Sequence, residues 1–219
     1  MKFAMQEMVE EFQDETGVEC EIIVGSSGKL AAQVKEGAPY DLFVSADMKF
    51  PNILFESGLT MGKPQIYAYG SLVIWTMNTQ LKADFKTFSK KQVNHIALAN
   101  PKTAPYGRAA VEVLKKKNLF DTMNSKFVFG ESIAQTNQFI ISYVAEIGFT
   151  SKSIVLSPNM KGKGNWKDVD SSLYSPIKQG VVILKNRDQN IKKAKSFKEF
   201  LFSDKGKEIL NKFGYLIKE

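Results

Sequence analysis

Apolar residues recur along this chain with two alternating periods, one near 3.6 and one near 2, and the alternation predicts helices and strands in turn. Ala4, Met5, Met8, Val9 and Phe12 fall on one helical face, and Gly17 is a helix stop, so the chain opens in a helix. The β-branched run VECEIIV at 18–24 predicts a strand, 29–37 a helix, and DLFVS at 41–45 another strand. A helix over about 48–57 follows, then strands at 65–69 and 72–77. Further strands are expected at 95–100, 126–130 and 147–151, separated by helices at 106–117 and 133–145. GVVILK at 180–185 is the last strong strand, and helices over about 188–202 and 204–213 finish the chain. The polar stretch 159–172, NMKGKGNWKDVDSS, reads as the longest loop.

This is an α/β protein without internal repeats. Residues 76–177 make an α/β set of their own, while the strand at 180–185 has no strand after it and must return to the first sheet. The expected organisation is therefore two lobes, 1–75 with 178–219 and 76–177, joined by two crossings. A ligand is expected in the cleft between such lobes, where helix N-termini converge.

Composition narrows the chemistry. The 219 residues are 43% hydrophobic, enough to bury a real core. No run approaches the ~18 apolar residues of a membrane span, and the opening MKFAMQEMVEEF carries acids where a secretory signal carries an apolar block. Cys20 is the lone cysteine and His95 the lone histidine, so disulfides, cysteine-based metal clusters and histidine-centred catalysis lack material. A net charge of +7 raises nucleic acid as a partner. Much of the excess lies in 185–219, where ten basic residues, Arg187 and nine lysines, face five acids on amphipathic helices, which predicts a solvated basic face rather than a nucleic-acid groove.

Three strand-to-helix connections carry the candidate chemistry. In VGSSGKL, a strand ends near Gly25 and a helix begins near Gly28, placing Ser26 and Ser27 at the helix tip. Unpaired backbone N–H groups and the positive end of the helix dipole favour an anion there, and Gly28 is expected to allow close approach. Helix capping by serine explains the same residues. In NPKTAPYGRAA a helix begins near Tyr106 and Gly107, and in GESIAQTNQF Glu131 or Ser132 caps a helix with the Ile133 amide near its tip. GSSGK lacks the G-x-S-x-G spacing of a nucleophile elbow and the spacing of a Walker loop, so neither a serine hydrolase nor a nucleotide site is expected.

GSSGKLAAQVKEGAPYDLFVSAD, NPKTAPYGRAA, GESIAQTNQF, AEIGFTSKS and the closing FLFSDKGKEILNKFGY together resemble the molybdate-binding proteins of bacterial ABC importers, in order and over essentially the whole chain. The resemblance implies a type II periplasmic-binding-protein fold, capture of molybdate or tungstate between two lobes, and delivery to a membrane ABC permease. It further implies a monomer outside the cytoplasm, free or lipid-anchored, with no cofactor and no catalysis. Sulfate or phosphate binding, or an oxyanion-sensing regulatory domain of the same fold, are the alternatives.

Carried over by motif, the oxyanion contacts fall on the Ser27 hydroxyl, with Ser26 beside it, and on the backbone amides of Tyr106 and Ile133. These contacts reach the anion's oxygens and not the metal atom. A tyrosine that reaches the anion in part of the family corresponds to Phe149, with Gln135 or Asn137 as a substitute donor. Because Tyr106 and Ile133 donate through the backbone, Tyr106→Ala and Ile133→Val are expected to be tolerated. The resemblance also implies a signal peptide and a first strand upstream of Met1.

Overall fold

The computed structural model describes residues 1–185 and 190–218. In chain order the elements are α1 (Lys2–Thr16), α2 (Ser27–Lys35), β1 (Leu42–Ser45), α3 (Lys49–Glu56), β2 (Gln65–Gly70) and β3 (Leu72–Thr76). Then come β4 (Ile96–Ala99), α4 (Pro105–Lys116), α5 (Phe120–Met123), β5 (Phe127–Gly130), α6 (Ile133–Ile141), β6 (Ile147–Ser151) and α7 (Lys152–Val155). The chain closes with β7 (Asn165–Asp168), β8 (Ile177–Ile183), α8 (Ile191–Phe202) and α9 (Asp204–Lys212). These elements form two units, Met1–Gly70 with Lys178–Glu219 and Ser71–Ile177, so the chain passes between them twice.

The first unit holds a three-stranded sheet in the order β1-β8-β2. β8 does return to it, antiparallel to β1, with Leu42 opposite Ile183 and Ser45 opposite Gly180. The apolar face of α1 is buried as its periodicity requires, and Phe12 meets Phe197 edge-on at 5.1 Å and Phe200 at 5.5 Å. Burial of such side chains supplies about 1.5–3 kcal/mol each, far more than the exposed Lys205–Glu11 and Lys212–Glu7 ion pairs that also join α1 to α9. A second cluster packs α2 and α3 on β1 and β8 through Ala31, Val34, Phe43, Leu54 and Val182.

The strand expected at 18–24 is not formed. Val18, Cys20 and Ile22 do lean on the α1 core with period 2, but the segment has no ladder partner, and Ile23 and Val24 remain exposed. An alternating pattern satisfies side chains on one face; strand formation also needs a neighbouring edge to take the backbone N–H and C=O groups.

The second unit is a five-stranded sheet in the order β5-β4-β6-β3-β7. β4 runs parallel to β5 and β6, while β3 is antiparallel to β6 and β7. Its two faces separate by parity: Leu72, Ile74, Leu98 and Phe149 face the α4 side, and Val73, Trp75 and Ala97 face Ile140 and Val155 of α6 and α7. β7 lies inside the stretch expected to be loop. NWKD has one apolar residue, yet it pairs with β3 from Val73–Asp168 to Thr76–Asn165 as a solvated edge strand, and Lys152 both stacks over Trp166 and bridges Asp168.

Three boundaries also differ from expectation. β3 belongs with the second unit and not with residues 1–70, because its ladder partners are β6 and β7. Helix α6 stops at Ile141, four residues early, and Tyr143 just beyond it takes a left-handed φ of 59°. α8 begins at Ile191; the part of the expected helix at 188–189 lies outside the described residues, as does Arg187.

Candidate functional site

In the first unit the two serines of VGSSGKL divide the work. Ser26 is the N-cap of α2, its hydroxyl accepting the Lys29 N–H at 3.4 Å. Ser27 is the first helical residue, and its Oγ instead accepts the N–H of Ala46 at 3.3 Å, from the turn after β1. An oxygen lone pair of Ser27 is thus engaged, and a hydroxyl that accepts one bond can still donate its proton to another group. Gly28 serves the packing of α2 on α3, since a Cβ there would meet the Phe50 ring at 3.0 Å.

The second unit brings the other two candidate amides to one end of one sheet. β4 and β5 are parallel with Ala99 opposite Gly130, so α4 and α6 both start from the carboxyl ends of adjacent strands. That is where open α/β sheets place ligands. The connections are tied together: Asn100 N–H donates to Gly130 O at 2.8 Å, and the Thr103 hydroxyl to Glu131 O at 3.1 Å. Tyr106 is the second residue of α4, after Pro105, and Ile133 is the first of α6. Gly107 is required by close approach, since a Cβ would fall 2.1 Å from the Ala99 carbonyl oxygen and push α4 off β4.

Several candidate side chains also make structural contacts. Gln135 belongs to a capping arrangement: Ser132 Oγ accepts its N–H at 3.3 Å, and its own Oε1 accepts the Glu131 N–H at 2.7 Å. The Asn137 side-chain oxygen accepts the Thr150 hydroxyl, so that oxygen holds α6 against β6. Phe149 is 1% exposed and meets Phe88 edge-on at 5.6 Å, so its side chain belongs to the core. The Tyr106 ring is likewise buried, which contradicts the expected tolerance of Tyr106→Ala: the amide is a backbone group, but the ring is core. Tyr174 is pushed up by burial while its hydroxyl accepts the Leu72 N–H at 3.1 Å, a structural bond within the same unit. Among the described residues no group of His, Cys, Asp and Glu could hold a metal ion, and no helix is long and apolar enough to cross a membrane.

Two contributors escaped the sequence reading, Ala46 and Gln179, whose Nε2 donates to Ala46 O at 3.0 Å. A lone glutamine in the apolar strand IKQGVVI was the available signal.

Compared with known proteins, residues 1–216 match the family of bacterial extracellular solute-binding proteins. The chain belongs to that family. Among its relatives, the molybdate-binding protein ModA of Rhodobacter capsulatus is 36% identical over 206 residues, covering 94% of this chain and 80% of the relative. The protein of the same name from Azotobacter vinelandii is also 36% identical, over 96% of this chain and 84% of its own length. The solved periplasmic molybdate-binding protein of Azotobacter vinelandii superposes with a TM-score of 0.88 at 30% identity, over 99% of this chain and 95% of that one. The fold is the type II periplasmic-binding-protein fold. As a member of a solute-binding family, this is a binding protein and not an enzyme.

Proposed function

We propose that this solute-binding protein captures molybdate, or tungstate, outside the cytoplasmic membrane and delivers it to the permease of an ABC importer. It acts as a monomer and without a cofactor. The supporting relatives are named molybdate-binding proteins. What supports the reading, within each unit by itself, is neutral donors at helix starts: the Ser27 hydroxyl, whose oxygen accepts the Ala46 N–H, in the first unit, and the amides of Tyr106 and Ile133 at the tips of α4 and α6 in the second.

Near neutral pH molybdate is a fully deprotonated tetrahedral dianion, so each oxygen takes donors and none offers a proton. A donor-only site suits it. Phosphate is partly protonated, and its hydroxyl would face another donor, at the ~1–3 kcal/mol cost of an unpaired buried polar group. Helix tips and hydroxyls also avoid burying a lysine, whose desolvation costs several kcal/mol. Ser26 and Gln135 support the site as caps that hold the tips of α2 and α6.

Isothermal titration with molybdate, tungstate, sulfate and phosphate tests this. Molybdate and tungstate should bind best; equal or tighter binding of phosphate sinks the reading.

A further inference from the structure

β8 enters the first unit at Lys178, and the next residue is a glutamine with only 1% of its surface exposed. Its neighbours along the strand, Ile177, Val181, Val182 and Ile183, are apolar and buried. A primary amide in such a strand costs free energy unless it is bonded, so its partner indicates what it is for. One such partner is the Ala46 carbonyl, 3.0 Å from Gln179 Nε2.

Residue 46 is thereby gripped on both sides. Its carbonyl is held by Gln179, and its N–H is the donor that occupies Ser27 Oγ at 3.3 Å. The rest of the turn is held separately: Asp47 N–H donates to Ser45 Oγ at 3.3 Å, and Asp47 Oδ1 accepts the Lys49 N–H at 3.1 Å. Those bonds fix Asp47 and the start of α3. The Asp47 N–H shares a planar peptide unit with the Ala46 carbonyl, so Ser45 Oγ and Gln179 Nε2 hold that unit from its two edges and together fix where residue 46 presents its own N–H. Gly180 lets the turn lie directly on β8, since a Cβ there would stand 3.0 Å from Asp47 O and 2.7 Å from Met48 Sδ.

We propose that Gln179 is a positioning residue for the anion site, acting through Ala46 to hold the Ser27 hydroxyl with its lone pair occupied and its proton directed at the ligand. The inference rests on the Ser27 contact proposed above. A hydroxyl can occupy several rotor positions, and a free one must be ordered as the anion binds. The Gln179–Ala46–Ser27 chain sets that order beforehand. A glutamine that merely satisfied a buried carbonyl would affect stability alone.

A double-mutant cycle separates these roles, with molybdate affinity and the ligand-free melting temperature as readouts. Gln179→Met keeps the length and removes the donor. In the otherwise native protein it should weaken molybdate binding about 3- to 10-fold, the loss expected for one hydrogen bond. In the Ser27→Ala background the same change should weaken binding by less than about twofold, because the group it positions is gone. Equal losses in both backgrounds, or no loss in either, overturn the proposal. Ser27→Ala measured alone tests the site itself: unchanged affinity there defeats the Ser27 contact and Gln179 with it.

Should Gln179→Met fail to fold, the native protein answers through its amide spectrum during molybdate titration. The Ala46 N–H and the Gln179 side-chain NH2 should shift together, and in Ser27→Ala they should stay still. A Gln179 signal unmoved by molybdate in the native protein overturns the proposal.

Discussion

Ser26 and Ser27 are adjacent, chemically identical and both at the tip of α2, yet they should respond differently to the same substitution. Ser27 Oγ accepts Ala46 N–H at 3.3 Å and, in the proposed site, gives its proton to the ligand, so Ser27→Ala should remove one long neutral bond and one donor to a dianion. The neutral bond is worth about 0.5 kcal/mol of stability, at the low end for its kind. The donor to a charged ligand is worth about 1.5–3 kcal/mol, which corresponds to roughly a 10- to 150-fold rise in Kd. Ser26 Oγ accepts Lys29 N–H at 3.4 Å on an exposed helix end, so Ser26→Ala loses a cap. That costs about 1 kcal/mol of stability and should change Kd by less than about twofold. Isothermal titration with molybdate gives the first quantity, and thermal melts without ligand give the second. If Ser27→Ala binds molybdate as the native protein does, or if the two variants lose affinity equally, Ser27 is only part of the helix start and the assignment of the hydroxyl is wrong.

Two further outcomes follow from tyrosines. Tyr106→Ala should destabilise the second unit by about 3–5 kcal/mol, as for other large-to-small core changes, whereas Tyr106→Phe should retain molybdate affinity because the proposed donor is the backbone amide; a Phe variant that folds but no longer binds would assign the contact to the phenol instead. The Tyr67 hydroxyl is buried with no hydrogen-bond partner among the described residues, so Tyr67→Phe should raise stability, by up to about 1–3 kcal/mol in urea unfolding at neutral pH. Burial, and then the neighbouring Tyr215, hold the Tyr67 phenol well above its usual value. The folded state therefore keeps its proton while the unfolded chain loses it above about pH 10. The native protein should lose stability as pH rises past that point, and Tyr67→Phe should lose less; a variant less stable than the native protein at pH 7 would show that the hydroxyl is satisfied.

Several features were legible in the sequence because they depend on local spacing alone. The α1 face from Ala4 to Phe12, the alternation of strands with helices, and the start of α6 at Ile133 all follow from side-chain period and cap chemistry within a dozen residues. Motif order along the chain was enough to suggest the family. Apart from the return of β8 to the first sheet, the sequence was silent wherever two distant segments had to meet. VECEIIV has every local mark of a strand and forms none, while NWKD has almost no such mark and pairs with β3; the difference lies in whether an edge stands beside it. Motif order singled out Ser27 from Ser26, but local spacing gave no physical reason for the difference; that comes from Ala46, nineteen residues on, which donates to Ser27 alone of the two. That Phe149 and the Tyr106 ring are core was not legible until their neighbours were in view. Gln179 reaches Ala46 across 133 residues, a contact that only the return of β8 to the first sheet could create, because a hydrogen bond between remote residues is decided by topology and not by anything either residue carries.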